Sequence, residues 1–183
     1  PWAMRFGDAC EAAAQTAMDF PGRDYSAGRV SYKYEPGALG GMGALFCTLP
    51  SGRRICYPDP RIEIVEKSWG DTLCVTCRKG AWRPAKGSTD WPRVAVWKGL
   101  MVENATQAAC ADLLRIKIAE APLHKLTIAG HTHDEILAES RYPEADAPKL
   151  KALMEARPGW QGDDCLPLKA EVEYGYRYKV PFK

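Results

Sequence analysis

Three stretches of the chain have the composition or the hydrophobic pattern of helices. Residues 6–20 are alanine-rich and stop before Pro21-Gly22, as a helix does at its C-terminal end. A long helix is predicted over residues 94–120, because Pro122 breaks the pattern just beyond it. Residues 144–157 are amphipathic with a helical period and predict a third helix.

Shorter stretches alternate apolar and polar residues or are rich in β-branched residues, as antiparallel strands are. The predicted strands cover residues 29–34, 44–49, 53–57, 71–78, 126–131, 135–139 and 168–174. A turn at residues 50–52 joins two of them into a hairpin, and residues 80–92 have the prolines and glycines of a loop. Together these elements predict an α+β fold of antiparallel hairpins with helices packed on one face, forming a single domain over residues 1–183.

The composition is that of an ordinary globular protein, with 46% hydrophobic and 26% charged residues. No apolar run is long enough to cross a bilayer, and the N-terminus has no pattern of a secretory signal. Seven cysteines cannot all pair, so we expect a reducing, cytoplasmic location. Cys74 and Cys77 have metal-ligand spacing, but no second pair accompanies them and zinc is not predicted there.

Positive charge is concentrated in two places, although the net charge is only +2. One basic stretch, interrupted only by an aspartate, consists of Arg78, Lys79, Arg83, Lys86, Arg93 and Lys98. The other place is Arg53-Arg54, which leaves a glycine turn. Cationic side chains suit phosphate oxygens, so both places are candidate nucleic-acid contacts. Solvated basic residues on a loop and on a hairpin would give the same pattern.

The strongest single feature is His133-Asp134-Glu135, which stands between two apolar strands. Adjacent carboxylates at the tip of a hairpin repel each other and contribute nothing to folding. A divalent cation would remove the repulsion, because Mg²⁺ binds hard oxygen ligands. A charged surface turn is the alternative interpretation of the same residues.

The histidines around this feature suggest a second kind of site. His131 and His133 would alternate onto one face of a strand, which zinc could use together with Asp134. A further ligand would have to come from His124 or from a distant carboxylate. A metallohydrolase therefore stays open beside a magnesium site.

Two amides lie on the predicted long helix. Asn104 and Gln107 are three residues apart and share a helix face. Amides donate and accept hydrogen bonds, which suits base edges in the minor groove of DNA. The polar face of a half-buried helix would also carry such residues.

The order of these motifs along the chain resembles the C-terminal part of family A DNA polymerases of the bacteriophage type. The motifs are Leu49-Pro-Ser-Gly-Arg-Arg54 with Pro58-Asp59, Val102-Glu-Asn-Ala-Thr-Gln107, and His133-Asp134-Glu135, followed by a helix and a last alternating stretch. The resemblance covers nearly the whole chain and is weakest at residues 22–42 and 82–91.

The resemblance implies a polymerase palm with a catalytic pair of Mg²⁺ ions. Asp134 would be one of the two aspartates that hold this pair. Glu135 would support the metal site or the primer end, and His133 would contact the primer terminus.

The resemblance also implies contacts with primer–template DNA. Gln107, with Asn104, would lie along the minor groove. Arg53 and Arg54 would lie near the DNA backbone, and Lys98 of the basic stretch is a further expected DNA contact. The spacing between Asn104 and Gln107 is shorter than in bacterial relatives, which weakens the assignment of Asn104.

Several parts of such a polymerase have no counterpart in this sequence. The first catalytic motif, the fingers, the thumb and an exonuclease domain are absent, and Asp24-Tyr25-Ser26 resembles the first motif only by coincidence. We therefore expect a chain that works with the remainder of a polymerase, primer–template DNA and dNTPs, and that is inactive in isolation. A non-catalytic DNA-binding protein that uses the basic stretch and Gln107 is the other interpretation.

Overall fold

The computed structural model describes residues 2–66, 70–80, 91–162, 167–177 and 180–181. The chain forms two compact units, Pro1–Ala108 (unit 1) and Ala109–Lys183 (unit 2). The described residues contain α-helices and several small antiparallel sheets, so the predicted α+β class is confirmed. The single domain over residues 1–183 stays a prediction.

The helices and strands follow one another along the chain with short connections. The helices are α1 (Trp2–Asp19), α2 (Lys98–Glu120) and α3 (Pro143–Glu155), with a 3-10 helix at Ala121–His124. The strands are β1 (Tyr25–Ala27), β2 (Val30–Leu39), β3 (Met42–Thr48), β4 (Arg54–Pro58), β5 (Arg61–Val65), β6 (Thr72–Arg78), β7 (Arg93–Val96), β8 (Thr127–Thr132), β9 (Glu135–Glu139), β10 (Gly175–Arg177) and β11 (Val180–Pro181). The sheets are β1-β2-β3-β4, β5-β6-β7, β8-β9 and β10-β11, and every pairing is antiparallel.

Unit 1 is built on close contact between α1 and the first sheet. The buried residues of α1 include Cys10, Ala13, Ala14 and Ala17, whose three- and four-residue spacing places them on one face of the helix. Because these side chains are small, the helix backbone lies close to the sheet, where Tyr32 is fully buried in the same core. The predicted helix is confirmed in kind, and it begins four residues earlier than expected.

The second sheet of unit 1 differs from the prediction. The structure has strands at β5 and β7, and α2 begins at Lys98 and not at residue 94. Val94 and Val96 pair with Cys77 and Val75 of β6. Their β-branched side chains fit a buried strand once a partner strand is present, and that partner is not local in sequence.

Unit 2 has a smaller core, formed by the buried residues Ala121, Leu126 and Leu153. The predicted strand over residues 168–174 is wrong, because the described strand begins only at Gly175. Alternation of apolar and charged residues is not sufficient for a strand, since each strand also needs a partner for its backbone groups. Most of the predicted loop at residues 80–92 lies outside the described residues.

None of the described helices combines the length and the apolar character that crossing a bilayer requires.

The contact between α1 and the sheet can be tested by enlarging one side chain. Ala14→Leu should destabilise the protein by about 2–3 kcal/mol, because Ala14 is fully buried and the added atoms have no space. Ala12→Leu should change the free energy of unfolding by less than about 0.5 kcal/mol, since Ala12 is exposed on the same helix. Urea unfolding followed by circular dichroism measures both, and equal effects would contradict the close packing.

Candidate active site and nucleic-acid interface

The acidic motif lies at the tip of a hairpin in unit 2. Thr132 and Glu135 form the last pair of β8 and β9, so His133 and Asp134 are the two residues of the turn. His133, Asp134 and Glu135 are all exposed. His133 has φ +53°, a left-handed conformation that non-glycine residues adopt at a cost of about 1–2 kcal/mol. The predicted hairpin is confirmed, and its acidic tip is accessible.

The hairpin contains an irregularity four residues before this tip. Ile128 pairs with Ala138 and Gly130 pairs with Leu137, so Ala129 is an extra residue on β8. An extra residue of this kind bends the strand and increases its local twist. The side chains beyond it therefore point in directions that a regular hairpin would not give.

The zinc arrangement expected from alternation is wrong. β8 ends at Thr132 and His133 lies in the turn, so His131 and His133 do not alternate along one strand. Within the described residues, no group of three or more histidine, cysteine, aspartate or glutamate side chains could hold a metal ion. Asp134 and Glu135 offer the hard oxygen donors that Mg²⁺ prefers, and they fit part of a magnesium ligand set.

Arg53 and Arg54 have different surroundings in unit 1. Nη2 of the half-buried Arg53 donates a hydrogen bond of 2.7 Å to the backbone carbonyl of Ala108 in α2. Arg54 is exposed, lies 3.5 Å above the ring centre of Phe46 and pairs with Glu35 at 2.9 Å. Arg53 thus links the turn before β4 to α2, whereas Arg54 presents its guanidinium to solvent.

Glu35 is shared by two cations on the outer face of the first sheet. Lys33 Nζ lies 3.5 Å from the Glu35 carboxylate that Arg54 also contacts. The hydrogen bond from Arg54 lowers the pKa of Glu35, and the charges of Arg54 and Lys33 add to this effect against a small opposing contribution from burial. Two cations facing one carboxylate leave this face with a net positive charge.

The two amides of α2 are not equivalent. Asn104 is half-buried and its Nδ2 donates to the hydroxyl of Tyr57 at 3.2 Å. Burial raises the pKa of Tyr57, and this hydrogen bond opposes the rise. Gln107 is exposed and its Nε2 donates to Glu103 of the same helix at 3.1 Å. Gln107 is therefore the more accessible of the two predicted minor-groove residues.

Lys98 lies at the start of α2 and contacts α1. Its Nζ is 2.6 Å from the Asp8 carboxylate, and this hydrogen bond raises the pKa of Lys98. Cβ of Lys98 is also close to the position that a Cβ on Gly7 would occupy, at 3.3 Å. Lys98 therefore has an ionic partner within unit 1 and helps to join the two helices.

The basic stretch is organised by Asp59, a residue to which the sequence pattern gave no role. Arg78 Nε lies 3.0 Å from the Asp59 carboxylate, Arg93 Nη2 donates to the same oxygen, and Arg61 lies at 3.7 Å. Arg93 also donates to the backbone carbonyl of Asp59 at 2.8 Å. Arg83 and Lys86 of the basic stretch lie outside the described residues.

The electrostatic balance at Asp59 favours the ionised carboxylate. Partial burial would raise its pKa, but the hydrogen bond from Arg78 and the charges of Arg93, Arg61 and Arg78 outweigh burial and lower it. Because these arginines lie on β5, β6 and β7, the carboxylate connects the end of β4 to all strands of the second sheet.

Comparison with known proteins gives one informative relative. The chain is 30% identical over 129 residues to a DNA polymerase of Bacillus phage SP02, and the match covers 70% of this chain and 18% of that polymerase. The chain thus spans less than a fifth of the length of the relative. No family model matches the chain, and no solved structure matches it.

The role of Asp59 can be tested by removing its charge. Asp59 has φ +47°, a conformation that asparagine tolerates, so Asp59→Asn changes the charge with little backbone strain. We expect a loss of about 1–2 kcal/mol in the free energy of unfolding at pH 7, because three arginines lose their partner. Urea unfolding measures this loss, with the exposed Asp71→Asn as the control.

The same variant predicts a pH dependence. The pKa of Asp59 is lowered from 3.8, so its contribution is present above that pH and is lost as the pH falls through the lower value in the folded protein. The difference between the wild type and Asp59→Asn should therefore be constant near neutral pH and shrink in acid. A difference that grows below pH 3.8 would contradict the assigned direction.

Proposed function

We propose that this chain is the C-terminal palm part of a family A DNA polymerase of the phage type, which adds dNTPs to a primer 3′ end. The observation that carries the proposal is the 30% identity to a phage DNA polymerase over 70% of the chain. The exposed acidic hairpin supports it, because a site that acts on a primer end must be accessible to DNA.

The proposed chemistry centres on the tip of the β8–β9 hairpin. Asp134 would hold magnesium together with an aspartate from another part of the polymerase, and Glu135 would support that site. When bound, Mg²⁺ favours deprotonation of the primer hydroxyl and neutralises charge on the departing pyrophosphate. His133 adjoins Asp134 in the same turn and would contact the primer terminus.

The proposed DNA contacts divide into direct and supporting residues. Arg54 and Gln107 are exposed, so they would contact the DNA backbone and the minor groove directly. Arg53, Asn104 and Lys98 have partners within unit 1 and would hold the interface in place.

The remainder of the proposed enzyme must come from outside this sequence. The matched stretch is 18% of the phage polymerase, which leaves ample length for the first catalytic motif, the fingers and the thumb. Two-metal transfer needs carboxylates on both sides of the ion pair. In a bacterial host this enzyme would work in the cytoplasm on primer–template DNA.

The proposal can be tested in a chimera of the phage relative, in which its matched stretch is replaced by the corresponding stretch of this chain. The chimera should extend a primer, and Asp134→Asn should lower the rate by about a hundredfold to a thousandfold, because a metal ligand is lost. Glu139→Gln is the matched control, since Glu139 is exposed at the other end of the same hairpin. An active chimera that tolerates Asp134→Asn would refute the catalytic role.

The isolated chain should give no primer extension with Mg²⁺ and dNTPs, because it supplies only part of the metal site. Clear extension by the purified chain would show that its own residues complete the site. A chain that binds primed DNA but gives an inactive chimera would favour the non-catalytic DNA-binding interpretation.

A further inference from the structure

A part of unit 1 projects beyond the first sheet. β1 pairs with β2 only as far as Tyr32, and β4 pairs with β3 only from Ala44 onward. The intervening segment, residues 36–43, is here called the arm. In the described part of the chain, no third strand pairs with the arm.

The arm is apolar along its whole length. Its sequence, Pro-Gly-Ala-Leu-Gly-Gly-Met-Gly, has no charged side chain and none that forms hydrogen bonds, yet residues 36–42 are all exposed. Leu39 and Met42 form a cross-strand pair at its end and are 39% and 42% exposed. Seven consecutive exposed apolar residues are unfavourable in water, so such a segment is expected to serve a binding function.

The base of the arm is firmly held. The backbone N–H of Gly22 donates to the carbonyl of Tyr34 at 3.0 Å, and the N–H of Asp59 donates to the carbonyl of Gly43 at 2.9 Å. The Tyr34 ring also covers Gly43 so closely that a Cβ there would collide with it. The arm is therefore braced at its base and free at its tip.

Positive charge lies beside this base. Lys33 and Arg54 share the single carboxylate of Glu35 on the outer face of the sheet, so one positive charge remains. An apolar tip next to a cationic base matches the chemistry of nucleic acid, in which apolar base faces lie beside charged phosphates. An apolar protein pocket would match the tip but would not account for the cations.

We propose that the arm is a wedge that inserts Leu39 and Met42 between bases where a DNA duplex opens, while Lys33 and Arg54 contact the adjacent phosphates. Leucine, methionine and proline side chains unstack base steps when proteins insert them into DNA. This inference rests on the proposed function and adds a separate contact, remote in sequence from the acidic hairpin.

The test uses the full chain and a forked primed DNA that carries 2-aminopurine at the junction. Binding of the wild-type chain should raise the 2-aminopurine fluorescence, because the base loses its stacking partner. The double variant Leu39→Ala/Met42→Ala should bind about tenfold more weakly and should abolish the fluorescence increase, since one stacking contact is worth roughly this factor.

A matched control is available on another hairpin of unit 1. Ile64 and Leu73 also form an exposed cross-strand pair, with 71% and 54% exposure. Ile64→Ala/Leu73→Ala removes a similar apolar area and should leave affinity and fluorescence unchanged. Equal losses in the two double variants would overturn the wedge, because the effect would then be unspecific.

The outcomes also separate this inference from the proposed function. If the Leu39→Ala/Met42→Ala chain binds like the wild type, while Asp134→Asn still inactivates the chimera, only the wedge is refuted. If the wild-type chain binds no DNA, the wedge is refuted, and the activity of the chimera alone decides the proposed function.

Discussion

Unit 1 depends on the corner that Asp59 forms between its two sheets. The carboxylate accepts hydrogen bonds from Arg78 and Arg93 on the second sheet, and the backbone N–H of the same residue donates to Gly43 on the first. One residue therefore joins the sheets and fixes the base of the arm. Because opposite charges in a partly buried site attract more strongly than in water, this corner places cations that would otherwise repel one another on adjacent strands.

The corner changes the meaning of the basic residues. Arg78, Arg93 and Lys98 have carboxylate partners within unit 1. A count of positive charges along the sequence overestimates the charge that is available to a phosphate. Exposed residues such as Arg54 and Gln107 are better candidates for direct contact with DNA, since a ligand can reach them.

Local pattern predicted those elements whose partners are close in sequence. The alanine-rich α1 and the β8–β9 hairpin were predicted because spacing and turn residues define them locally. β7 was predicted as the start of α2, since its partner β6 lies beyond a long connection. The role of Asp59 could not be predicted either, because the arginines around it come from three different strands. At the candidate site, sequence order predicted the exposed acidic turn and could not predict which DNA-contact candidates have internal partners.

The central claim is that Asp134 holds a metal ion beside the end of a growing DNA strand. Iron-mediated cleavage tests it most directly, because Fe²⁺ in a magnesium site generates hydroxyl radicals that cut the nearby backbone. In the phage chimera bound to primed DNA and dNTP, cleavage should map to residues 133–135 and disappear in Asp134→Asn. Cleavage that maps elsewhere, or that persists at this hairpin without the Asp134 carboxylate, would contradict the account.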